Sequence, residues 1–383
     1  MTAVLHPVTR RTLATSILIG ACALLVLGVH PILLGAMVEE GRIAEAQVGN
    51  LVTIEMVAIV LGSLAGIWLL RKLGARPVIC GAGLVLAAMN LLMTDLSGMA
   101  IIASCRAVAG LSEGVLVAST LVAISRVARV ERASAIFLAV QTLMQAVAAA
   151  SLPFIALGSS RTGTTLLTLA IASAVAAVAA LALPRELQPA PSDDEQGAIT
   201  PASLAALAGA GLFLGGIVSV WSYFGLWLLG NGYPPTFEGT AISLCLVAQV
   251  AGALTAARFG ERLPNRQTII GCALAAAASA ILFLFVGHEP WAILAVSVMF
   301  GFFWLFTLPF FAGWLIEIDP SRRAVLYITA FQLGGAALLP SLAAIAVGSF
   351  SVDAAMVFSG GVFLILAALA YLNKYAIRAR QPG

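Results

Sequence analysis

Apolar stretches and short polar breaks alternate along the chain from near residue 12 to near residue 373. A helix needs about 20 apolar residues to cross roughly 30 Å of hydrocarbon. Twelve runs meet that length, centred near Leu25, Ala58, Leu86, Gly114, Gln145, Ala174, Gly216, Val247, Ala277, Trp304, Gly335 and Val362. In lipid each spanning segment has to satisfy its own backbone hydrogen bonds, so the pattern predicts an all-α membrane protein of twelve transmembrane helices. The first run, 12–38, is too long for a signal-peptide core and another span follows it directly, so it reads as helix 1.

Composition sharpens this picture. Of 383 residues, 61% are hydrophobic and 10% charged, against about 25% charged in soluble proteins. No stretch remains for a soluble domain. The cysteines Cys22, Cys80, Cys105, Cys245 and Cys272 stand singly within spans, without disulfide or metal-ligand spacing. The net charge of +3 follows topology and calls for no nucleic-acid partner. With a cytoplasmic N-terminus, the inside segments hold seventeen of the twenty Lys and Arg residues, the outside loops only Arg42 and Arg161, and a span only Arg106. The positive-inside rule then puts both termini in the cytoplasm, and the expected location is the cell inner membrane.

One break is long enough for a linker: 184–200, PRELQPAPSDDEQGAIT. It divides the chain into an N-terminal half, 1–184, a linker, 185–199, and a C-terminal half, 200–383. The halves repeat. Arg132-Ala133 and Gln141 recur as Arg323-Ala324 and Gln332, 191 residues on, and RKLGAR at 71–76 recurs as ERLPNR at 261–266, 190 residues on. Parallel six-helix repeats predict two pseudo-symmetric halves with a substrate site between them.

These motifs resemble those of the major facilitator superfamily over essentially the whole chain. The family's loop after helix 2 reads approximately G-x-L-a-D-r-x-G-r-k. Here 67–76 reads IWLLRKLGAR, with Arg71 at the acidic position, and 257–266 reads ARFGERLPNR, which keeps Glu261 but has Pro264 at the later glycine. The helix 4 pattern is kept in 106–114, RAVAGLSEG. Its R-x-x-x-G-x-x-E form is similar to that of organic-anion branches, often proton-coupled importers. The glycine-proline signature of drug/proton antiporters is missing from 141–153, QTLMQAVAAASLP. The resemblance implies a secondary transporter that works by alternating access.

An ionised group in hydrocarbon costs several kcal/mol, so charges within spans are functional candidates. Arg106 and Glu113, seven residues apart, return to nearly one helix face, and Gly110 between them leaves room for a ligand or a neighbouring backbone. His30, Glu55 and Arg106 each fall roughly 9–12 Å in from the outer ends of their spans and can meet at one level. Arg106 is expected to grip a substrate carboxylate, with Glu113, Glu55 and His30 carrying the coupling proton; a structural Arg106–Glu55 ion pair is the competing explanation. Gln145, Gln249 and Gln332 are expected to line the substrate cavity, with Tyr223, Trp227 and Trp304 as an aromatic wall, although such groups also serve interhelical packing. Arg71, Lys72 and Arg76 are expected to meet Glu131 in a cytoplasmic gate. A second set there comprises Glu261, Arg262 and Arg266, with Arg262 and Arg266 meeting Glu317 or Asp319.

No nucleotide-binding loop, metal cluster or catalytic domain stands out, so neither an enzyme nor a cofactor is expected. The expected partners are a small molecule, protons and the bilayer, and the expected working unit is a monomer. The leading function is proton-coupled import of a small organic anion, with an aromatic anion as the narrower expectation. The alternatives are a proton-antiport efflux pump for hydrophobic compounds, and a receptor-like protein on the same fold.

Overall fold

The computed structural model describes residues 9–127, 129–155, 160–184, 187, 200–319 and 324–378, without the side chains of 131 and 374–378. Among the described residues, twelve helical stretches are long and apolar enough to cross a membrane, and there is no strand. They form thirteen α-helices, because the first stretch is interrupted: α1 (Arg10–Ala23), α2 (Leu25–Glu39), α3 (Val48–Leu73), α4 (Ala75–Leu92), α5 (Met99–Ser125), α6 (Val130–Ser151), α7 (Arg161–Ala179), α8 (Pro201–Gly230), α9 (Pro235–Phe259), α10 (Asn265–Val286), α11 (Pro290–Ile318), α12 (Ile328–Ser349) and α13 (Asp353–Arg378). The expected linker 185–199 lies outside the described residues, except for Leu187.

The helix ends follow from local chemistry. The Thr200 hydroxyl accepts the Ser203 N–H at 3.1 Å, and Pro201 holds the first helical position of α8, where its missing N–H costs nothing. Gly74 turns α3 into α4 at φ +81°, a conformation that only glycine adopts without strain. Its counterpart in the repeat, Pro264, solves the same turn differently, with φ −70° and ψ 119° before α10.

The chain resolves into two compact units, Met1–Ile43 with Ile54–Asp193, and Ala44–Thr53 with Asp194–Gly383. Small residues let helix backbones approach closely in a membrane, and in both units they do so at matching places. In unit 1, a methyl on Gly62 would strike the Leu111 carbonyl oxygen and one on Gly110 the Glu55 carbonyl oxygen. In unit 2, a methyl on Gly252 would strike the Phe302 carbonyl oxygen and one on Gly301 the Cys245 carbonyl oxygen. All four residue pairs stand 190 or 191 positions apart, so the α3–α5 crossing of unit 1 recurs as the α9–α11 crossing of unit 2. The sequence repeat is thus also a packing repeat.

Ala44–Thr53 comes from the first half of the sequence but packs within unit 2. The Gly49 N–H donates to the Tyr223 hydroxyl at 3.0 Å, and the Ser341 hydroxyl bonds that of Thr53 at 2.8 Å. In unit 1, the interruption at Leu24 is filled from α6. Gln145 donates its amide N–H to the Leu24 carbonyl at 2.7 Å, and its side chain occupies the space that a methyl on Gly28 would need.

Candidate functional site

Unit 1 contains one buried charged cluster, assembled from four helices. Gly110 creates it. Lacking a side chain one turn beyond Arg106, it admits the α3 backbone at Glu55 and so brings the Glu55 carboxylate against the guanidinium. Arg106 Nε donates to Glu55 Oε2 at 3.0 Å and Nη2 donates to Glu55 Oε1. Nη2 also donates to Glu113 Oε1 at 3.1 Å, and Nη1 donates to Asn90 Oδ1 on α4 at 3.1 Å. His30 Nε2, from α2 beside Pro31, lies 3.1 Å from Glu55 Oε2.

The cluster is sealed. His30, Arg106 and Glu113 are 1% exposed and Glu55 and Asn90 2%. Removing one partner of a buried ion pair costs about 3–5 kcal/mol, so the members hold one another in place. The two carboxylates do not share the cation equally. Glu55 takes two bonds with both oxygens, whereas Glu113 takes one and leaves Oε2 buried without a hydrogen-bond partner. With both carboxylates ionised and His30 neutral the cluster carries one surplus negative charge, which a single proton removes. Chemically it can hold or pass a proton and can present a guanidinium to an anion.

The repeat places different chemistry at the equivalent positions of unit 2. His30, Glu55, Arg106 and Glu113 correspond, at 190 or 191 residues on, to Trp221, Cys245, Ser297 and Trp304. Trp221 and Trp304 meet edge to face, with ring centroids 5.5 Å apart. A charged centre in one unit therefore has an aromatic counterpart in the other.

The Major Facilitator Superfamily family model matches residues 16–334, most of the chain. The protein belongs to the major facilitator superfamily. No curated protein sequence matches it. Its fold is similar to that of the nucleoside transporter NupG in two crystal structures, one of a mutant at 14% identity (TM-score 0.75) and one at 15% identity (TM-score 0.71), each covering 97% of this chain and 99% of the other. It is also similar to a bacterial homologue of the human lysosomal transporter Spinster, inward-facing and unoccupied, at 13% identity and TM-score 0.71 over 97% and 98% of the two chains. At such identities the likeness concerns the fold. Family membership makes the chain a multi-pass membrane transporter of small molecules.

The other residues singled out for superfamily roles divide clearly. Gln145 serves the helix interruption at Leu24. Tyr223 is fully buried with its hydroxyl on Gly49, and Trp227 is buried with its indole N–H on Asp353 at 2.9 Å. Trp304 and Gln332 are partly exposed, and Gln249 is buried with its amide nitrogen unpartnered. In the superfamily's loop motifs, Arg71 and Lys72 are exposed, the Lys72 ammonium lies 4.4 Å from the Trp68 ring centroid, and Arg76 bonds the Leu183 carbonyl. Glu261 and Arg262 are exposed and Arg266 half-buried; Glu317 accepts from Asn265 at 2.7 Å, and Asp319 from the Ala324 N–H at 3.4 Å. Among the described residues no ion pair joins these groups, and the Glu131 side chain lies outside them. Sequence reasoning missed Asn90. The signal available was an amide inside an apolar run.

Arg42 and Arg161, the exceptions to the basic asymmetry, are held structurally in unit 1. Arg42 Nη1 donates to the carbonyls of Met93 at 3.1 Å and Thr94 at 2.6 Å, Nη2 to the Ser160 hydroxyl at 3.1 Å, and Nε to Glu40 at 2.9 Å. Arg161 pairs with Glu39 at 2.6 Å. Partial burial pushes the Glu40 carboxyl up, but the Thr162 N–H, whose hydrogen bond it accepts at 2.9 Å, and the Arg42 guanidinium beside it outweigh burial and hold its pKa below the usual value. The Glu40 contribution is therefore complete above the ordinary carboxylate pKa of about 4.3 and is lost as pH falls through the lowered one. Arg42→Ala should destabilise the protein by about 1–3 kcal/mol at neutral pH, because it strands carbonyls that the guanidinium bonds. In thermal melting, Glu40→Gln should lower stability at pH 7 and converge on wild type as pH falls below about 4.

Proposed function

We propose that the protein is a proton-coupled importer of a small organic anion with an aromatic or otherwise apolar body, working by alternating access of its two halves. The observation that carries this reading is the sharing of one buried guanidinium between two unequal carboxylates. A substrate carboxylate that reaches Arg106 competes with Glu113, the more weakly held partner, and the released Glu113 takes the coupling proton. Glu55, with both oxygens engaged, stays as the fixed counter-ion, and His30, 3.1 Å from Glu55 Oε2, is a further group of the cluster that can carry a proton. Within unit 2, Trp304 with Trp221 against it offers an aromatic surface, and Gln249 and Gln332 offer polar groups, of the kind an amphipathic anion uses. The loop residues Arg71, Lys72, Arg76, Glu131, Glu261, Arg262, Arg266 and Asp319 act as the cytoplasmic gate in a state in which their charges pair. The protein works as a monomer in the cell inner membrane with both termini cytoplasmic.

One observation favours a second reading. Two carboxylates gathered on one guanidinium also suit export of a cationic or hydrophobic compound against protons, because with both ionised and His30 neutral they leave one negative charge for a cation or a proton to meet. A deletion strain separates the two. Import predicts lost growth on an aromatic carboxylate as sole carbon source, whereas sensitivity to a toxic hydrophobic cation with growth intact selects efflux.

A further inference from the structure

A guanidinium offers two forks, each matched to the two oxygens of a carboxylate: the side fork of Nε and Nη2, and the end fork of Nη1 and Nη2. In Arg106 the side fork is filled as expected, by both oxygens of Glu55. The end fork is filled in an unusual way. Two different side chains supply one oxygen each, Glu113 Oε1 to Nη2 and Asn90 Oδ1 to Nη1, both at 3.1 Å. They come from different helices, α5 and α4, and both are buried, with Asn90 2% exposed.

We propose that Asn90 and Glu113 stand in for the two oxygens of a substrate carboxylate on the end fork of Arg106, so that Asn90 sets the affinity for the anion. This rests on the anion reading above and assigns a specificity role to a residue outside it. An unfilled end fork would leave buried N–H groups unsatisfied whenever the site is empty. Two carboxylate oxygens from one residue would fill it too well to be displaced. One amide and one single-bonded carboxylate satisfy it in the empty site and leave separately. The amide leaves without moving charge, while Glu113 leaves with a charge that a proton can cancel. Asn90 is thus a positioning and selectivity residue that competes with substrate for the cation.

Competition gives opposite signs for two substitutions at one position, which a purely structural role would not. Asn90→Leu removes a competitor of similar size and leaves an N–H for the ligand to satisfy. Asn90→Asp adds a charged competitor facing Arg106 beside Glu55, Glu113 and His30. The experiment measures binding of benzoate, with neutral benzamide as control, to purified wild type, Asn90→Leu, Asn90→Ala and Asn90→Asp by ligand-induced thermal stabilisation at pH 5.5 and 7.5. The expected result is benzoate binding about 5- to 10-fold tighter in Asn90→Leu, or in Asn90→Ala should the leucine variant not fold, and at least about 10-fold weaker in Asn90→Asp at pH 7.5. The Asn90→Asp deficit should narrow at pH 5.5. If wild type responds to benzoate but both kinds of variant shift affinity in the same direction, the Asn90 proposal is overturned while the anion reading stands. If wild type responds no better to benzoate than to benzamide at either pH, the anion reading fails and takes the proposal with it.

Discussion

Arg106→Ala should destabilise the protein by about 3–5 kcal/mol, the largest effect expected of any single side chain, because it leaves two carboxylates buried without their cation. The guanidinium makes four hydrogen bonds to three residues on three helices, and all three residues are buried. Arg106→Lys is the more informative variant. It keeps the charge but replaces two planar forks by one compact ammonium, which cannot hold Glu55 side-on and also present an end fork. Melting in detergent should show a smaller loss than for alanine. Benzoate binding should fall by at least about 30-fold, within the range for truncating a buried, hydrogen-bonded charge. Wild-type benzoate affinity in Arg106→Lys would make Arg106 a structural ion-pair residue.

Glu113→Gln should abolish gradient-driven accumulation while leaving exchange of substrate across the membrane in place. A glutamine keeps an oxygen for Nη2 but neither takes nor gives a proton, so the cluster loses its exchangeable charge and keeps its shape. For a monoanion moving with one proton, accumulation in proteoliposomes should reach about tenfold per pH unit in wild type, against none beyond equilibrium in the variant. Normal accumulation in Glu113→Gln would move the proton to Glu55 or His30. Because glutamine is also a weaker competitor for Arg106, the variant should bind benzoate more tightly than wild type at pH 7.5.

How far the chain could be read in advance depended on the range of the interaction. Each transmembrane span is a local property of about 20 residues, and all twelve expected centres lie inside the helical stretches found. Membrane cost made His30, Glu55, Arg106 and Glu113 conspicuous, and helix geometry put the first three at one level and Glu113 on the face of Arg106, so the cluster was legible apart from Asn90. An asparagine near a helix end has many local roles, and only tertiary contact with Arg106 distinguishes this one. The interruption of the first span at Leu24 was hidden for a similar reason. Gln145, which bonds the Leu24 carbonyl, lies 121 residues away. The placement of Ala44–Thr53 with unit 2 depends on partners at Tyr223 and Ser341, which no local pattern reveals. Tyr223 and Trp227 carry both an apolar body and a polar tip, and their composition suits a ligand wall as well as a packed helix. Their hydrogen bonds to Gly49 and Asp353 span 174 and 126 residues, so they could not be read from local pattern.

Linkage of substrate and proton through one shared cation requires that binding of the anion take up protons. Benzoate is added to the purified protein in a weakly buffered solution near neutral pH, and the protons taken up are compared with the benzoate bound. Competition at Arg106 requires uptake that rises with occupancy in wild type and disappears in Glu113→Gln, together with tighter binding at lower pH, since linkage is reciprocal. Saturable benzoate binding without proton uptake, or equal uptake in wild type and Glu113→Gln, would contradict it.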